Sequence, residues 1–122
     1  MAANASIIVV APDRGFRRSV EFALEAEGFT VGGYPFLAVA EISIAAPTTC
    51  CAVIDEDAIE DKLHSWNSLR GLSKPVILLA ARPQSLPEST GMCIVEKPVV
   101  GNALIEAVKT AMVSGRTQVS SK

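Results

Sequence analysis

Asp55 and Lys97 carry the chemistry most readily read from this chain. Asp55 closes the apolar run Cys50-Cys51-Ala52-Val53-Ile54, and Lys97 closes a second run, Met92-Cys93-Ile94-Val95, one residue after Glu96. If both runs are strands of one parallel sheet, the two side chains arrive at the carboxyl edge, where open α/β sheets gather ligands and chemistry. A carboxylate from one strand and an ammonium group from another then make a candidate site, or an ion pair and nothing more. Ala11-Pro12-Asp13 and Ala80-Ala81 fall at the same edge by the same reasoning.

The elements that must position these residues follow from periodicity. Ile7-Ile8-Val9-Val10, Val53-Ile54 with the cysteines before it, and Val76-Ile77-Leu78-Leu79 are continuous apolar runs. Such runs suit strands buried on both faces. Residues 29–34 read as a poorer strand, weakened by Gly32 and Gly33. Between the strands lie helical patterns. One covers about residues 14–27, with Asp13 as N-cap, Phe16, Val20, Ala23 and Leu24 as the inward stripe, and Gly28 as the stop. A short helix is expected over 37–45, and another around Leu63, Trp66 and Leu69. A last one, over 99–113, buries Leu104, Ala107, Val108 and Ala111. Pro83 and Pro87 argue against a normal helix over 82–91.

Strands alternating with helices predict an α/β fold around a parallel sheet. The 122 residues suffice for one core, with residues 1–5 as a loose start, 6–114 as the domain and 115–122 as a polar tail. The composition, 49% hydrophobic and 20% charged with mean hydropathy +0.34, excludes a disordered chain. Eleven basic and thirteen acidic residues give a net charge of −2, so a basic nucleic-acid face is not expected. No apolar run approaches the roughly 18 residues of a membrane span, and no signal-peptide order is seen. A cytoplasmic protein is expected. Cys50 and Cys51 read as core filler, and with Cys93 they form no even-numbered disulfide framework. His64 reads as a solvated helix residue, and Arg17 and Arg18 as a solvated face.

From about Ile7 to Val113 the chain resembles the receiver domain of bacterial two-component response regulators. Val53-Ile54-Asp55, Pro75 with the four residues after it, Glu96-Lys97-Pro98-Val99 and Glu27-Gly28-Phe29 carry the resemblance through their order and spacing. It implies a flavodoxin-like, doubly wound sheet of five parallel strands in the order 2-1-3-4-5, here with the fourth helix short or missing. It also implies that Asp55 stands where the family's aspartate accepts a phosphoryl group from a histidine kinase. Lys97 stands where a lysine pairs with the phosphoryl oxygens, and Pro98 is the candidate for a cis bond.

The remaining parts of the family pattern are altered. Ala11 and Pro12 occupy the positions of the acid pair that holds Mg²⁺. Neither has a side-chain oxygen, whereas Mg²⁺ takes near-octahedral oxygen ligands. Ala80 replaces the Ser or Thr that donates to the phosphoryl group, and Ile94 the aromatic that reports phosphorylation. Asp13, Asp55 and Asp57 are what remains for a metal site. The resulting expectation is an atypical receiver, not an enzyme, with no cofactor. It would bind a histidine kinase or another signalling protein, and a second copy is also a candidate partner. No nucleic acid or membrane contact is expected through this domain. The alternative is a working phosphoacceptor using Asp55 and Mg²⁺. Apolar residues Val99, Val100 and Ile105 are expected near the surface.

Overall fold

A computed structural model describes residues 6–59, 74–81, 92–97 and 101–121. The first strand, β1, is Ser6–Val10. It leads into α1, Arg14–Ala26, then β2, Thr30–Tyr34, and α2, Leu37–Ala45. Next come β3, Thr49–Asp55, a single 3₁₀ turn over Glu56–Ala58, β4 at Val76–Ala80 and β5 at Met92–Glu96. The last described element is α3, Gly101–Ser121. All strands pair in parallel in one sheet of order β2-β1-β3-β4-β5, the order expected for a receiver. The 60–73 and 82–91 segments, with the helix around Trp66, His64 and the shortened fourth helix, lie outside the described residues. So do Pro98, Val99 and Val100.

Strand alternation divides the core into two layers. Ile8, Val10, Ala52, Ile54, Val76 and Leu78 face α2, whose Leu37, Ala40 and Ile44 pack on them. Ile7, Val9, Cys51, Val53, Ile77 and Leu79 face the other way, onto Val20 and Leu24 of α1 and Leu104, Ile105 and Val108 of α3. Burying each large aliphatic side chain contributes about 1.5–3 kcal/mol, so central strands with two covered faces hold the sheet together.

The helix ends follow local rules. Asp13 caps α1, its Oδ1 accepting the Phe16 N–H at 2.9 Å. Gly28, at φ 97°, supplies the left-handed residue after the helix. Lys74 closes the C-terminal end of α2, donating from Nζ to the carbonyls of Ile44 and Ala46 at 2.6 and 2.9 Å.

Four expectations change. Cys51 is fully buried but Cys50 is exposed: the β1–β3 register shifts between Ser6 and Ile7, which pair with Thr49 and Cys51 and leave Cys50 out of the pairing. Ile105 is buried on the core face of α3; among the described residues the exposed large apolar ones are Phe22, Phe36, Val39 and Ile42. The last helix, expected to end near Val113, continues to Ser121. Arg17 is not solvated: its side chain is 17% exposed and turns back onto the sheet, whereas Arg18 is 57% exposed.

Candidate functional site

The carboxyl ends of β1, β3 and β5 meet around one cleft of about 280 Å³. Among the described residues, Pro12, Asp13, Phe16, Asp55, Asp57 and Lys97 line it. Each wall has a sequence cause. β3 and the turn after it deliver the two carboxylates. Asp55 caps that turn, its Oδ1 accepting the Asp57 N–H at 2.9 Å. β5 delivers Lys97, whose own N–H donates to the carbonyl of Ala80 at 2.8 Å and so continues the β4–β5 ladder by one residue. The loop between β1 and α1 supplies Pro12 and Asp13, and the first turn of α1 supplies Phe16.

Lys97 is the cation of the site. Its Nζ donates to Asp55 Oδ1 at 2.8 Å and to Oδ2 at 2.7 Å, with Asp57 Oδ2 at 3.5 Å. The Phe16 ring centre lies 5.4 Å away, within cation–π range. Asp55 is 2% exposed, so an unpaired charge there would be costly; the ammonium group supplies the pairing. Burial disfavours the charged lysine, but the hydrogen bonds and negative charge of Asp55, with Asp57 adding to them, outweigh it. The Lys97 pKa is held above the ordinary lysine value.

Asp55 and Lys97, expected to meet, do meet. Asp57 stands beside them, and Asp13 reaches the cleft rim while its Oδ1 is committed to capping α1. Ala11 and Ala80 are fully buried apolar residues at the ends of β1 and β4. Ile94 packs partly buried on the α2 side of the core.

These residues do not fit Mg²⁺. Both oxygens of Asp55 are held by one ammonium group, and Ala11 and Pro12 offer no side-chain oxygen. No three His, Cys, Asp or Glu side chains among the described residues are placed to hold a metal ion.

One contributor was missed by the sequence reading. Arg17 Nη1 donates to the backbone carbonyl of Ala11 at 2.8 Å, at the end of β1. The signal available was its i,i+4 spacing to Glu21, which places a cation and an anion on one helix face.

No family model matches the chain. Over 112 residues it is 30% identical to the transcriptional regulator protein FixT of Rhizobium meliloti (strain 1021), an alignment taking in 91% of this chain and 96% of that protein. Its fold is similar to the crystal structure of a CheY-like response regulator receiver domain from Methanospirillum hungatei JF-1. That match has a TM-score of 0.79 at 18% identity, covering 95% of this chain and 99% of the other. The chain belongs to the response-regulator receiver-domain family. The receiver fold is also shared with full-length FixJ from B. japonicum, at TM-score 0.82 and 17% identity, covering 98% of this chain and 63% of FixJ. The match to FixJ shows a shared fold, in a chain that this receiver spans only in part. No helix among its described residues is long and apolar enough to cross a membrane.

Proposed function

We propose that this receiver is an atypical one: it regulates by binding a signalling protein, and Mg²⁺-dependent phosphorylation of Asp55 is impaired. One observation carries the proposal. Lys97 holds both oxygens of Asp55, at 2.8 and 2.7 Å. Phosphoryl transfer to a carboxylate needs an oxygen free to attack and cations that neutralise the transferred group's charge. Here Lys97 is spent on the carboxylate itself, and the side chains at positions 11 and 12 supply no metal ligand. The buried Asp55 carboxylate is therefore paired without a bound ion.

In this reading the chain is a binding module of the cytoplasm, with no cofactor and no nucleic-acid or membrane contact of its own. Its partner is a histidine kinase or another protein of the same signalling route. A second copy of the chain is a further candidate partner; light scattering over a concentration series tests it, and a strict monomer throughout excludes it.

A Mg²⁺ titration followed by amide NMR tests the proposal. The resonances of Asp55, Asp57 and Lys97 should stay in place through the millimolar range. Saturable, site-local shifts would instead support the phosphoacceptor alternative.

A further inference from the structure

Glu21 is 9% exposed and lies in the middle of α1, an unusual place for a buried carboxylate on a sheet-covering helix. Three groups account for it. Arg17 Nε lies 3.8 Å from Oε2, and Arg18 Nη1 donates to Oε1 at 3.3 Å. The third is an absence: a Cβ on Gly33 of β2 would collide with Oε2 and come within 3.3 Å of Arg17 Cδ.

Gly33 is not needed for its backbone. Among the described residues only Gly28 has positive φ, so Gly33 sits in a conformation that any residue adopts. What it provides is room. The glycine leaves room for the Glu21 carboxylate, which lies 3.8 Å from Arg17 Nε while Arg17 Nη1 donates to the Ala11 carbonyl. Ala11 is anchored on its other side, its N–H donating to Tyr34 O at 3.0 Å. Ala11 opens the loop whose Pro12 and Asp13 line the cleft together with Asp55.

We propose that Arg17 and Glu21, seated over Gly33, are positioning residues that clamp the Ala11-Pro12-Asp13 loop and so set the shape of the cleft beside Asp55. The clamp is internal and needs no bound ion. It does not depend on whether Asp55 accepts a phosphoryl group.

The fit between Glu21 and Gly33 gives a test by sign. With Glu21 present, Gly33→Ala must push the carboxylate out, and the melting temperature should fall. In the Glu21→Ala background the carboxylate clash is gone, the Arg17 stem at 3.3 Å has only to give by a few tenths of an ångström, and alanine loses less freedom on folding than glycine. There the same substitution should leave the melting temperature unchanged or raise it. An equal fall in both backgrounds overturns the proposal, and the double variant stays informative if Gly33→Ala alone does not fold.

Hydrogen exchange read at single amides tests the clamp on the loop. Arg17→Met keeps the apolar stem and loses the donors. The Ala11 and Phe16 amides should then exchange about tenfold faster, while those of Ile77 and Leu78 in β4 keep their rates. Arg17→Lys should not restore protection, since one ammonium group lacks the planar fork that meets both Glu21 and the Ala11 carbonyl. Unchanged exchange at Ala11 and Phe16, or a rise shared equally by β4, contradicts a positioning role.

Discussion

Lys97 Nζ bridges the two carboxylate oxygens of Asp55, joining the end of β5 to the end of β3 across the intervening β4. The bridge is nearly closed to water on the Asp55 side, where 3% of the side chain is exposed against 22% for Lys97. An ion pair in that setting is costly to break from one side only, because the partner left behind stays buried and charged.

Lys97→Met should therefore destabilise the protein by about 2 kcal/mol near neutral pH, measured by denaturant titration. The loss should depend on pH in a defined direction. Folding raises the lysine pKa, so the native state binds the proton more tightly than the unfolded chain. The stabilisation is complete below the unfolded lysine value, about 10.4, and disappears as pH rises through the higher native value. The gap between wild type and Lys97→Met should be constant through neutral pH and close in strongly alkaline buffer. A gap that widens with rising pH contradicts the assignment.

Asp13 sits on the cleft rim, but its Oδ1 accepts the Phe16 N–H. Asp13→Ala should cost about 1 kcal/mol through loss of the cap, while Asp13→Asn or Asp13→Ser should recover most of it. A carboxylate needed for its charge would not be replaced by serine, so thermal denaturation of the three variants separates the roles.

The fold was largely legible because its strands are apolar runs that could be nothing else in a chain of this length. The fully buried Ile7, Val9, Val53 and Ile77 stand where the sequence placed them. Asp55 and Lys97 were legible for the same reason, since strand ends in a parallel sheet converge. What stayed hidden depends on side-chain direction within an element. Cys50 and Cys51 share a run, yet a register shift leaves Cys50 out of the β1–β3 pairing, and a solvated arginine at position 17 is indistinguishable by type from one folded back onto a carbonyl. Gly33 read as a weak point of β2, because the carboxylate needing its space comes from α1 and no local pattern links them.

The cysteines supply a check on that layer assignment. Burial pushes the Cys51 thiol up to about 12, and its fully buried sulfur should resist a thiol reagent in the native protein. Cys50 should react first. Cys93 should follow more slowly, since partial burial raises its pKa as well. Mass spectrometry of timed labelling should show two additions before unfolding and a third only in denaturant.

Intact-mass measurement after incubation with acetyl phosphate or phosphoramidate and Mg²⁺ bears most directly on the Lys97–Asp55 state. The unmodified mass should persist, in the wild type as in Asp55→Asn. A gain of one phosphate in the wild type that disappears in Asp55→Asn would contradict it and make this chain a working phosphoacceptor.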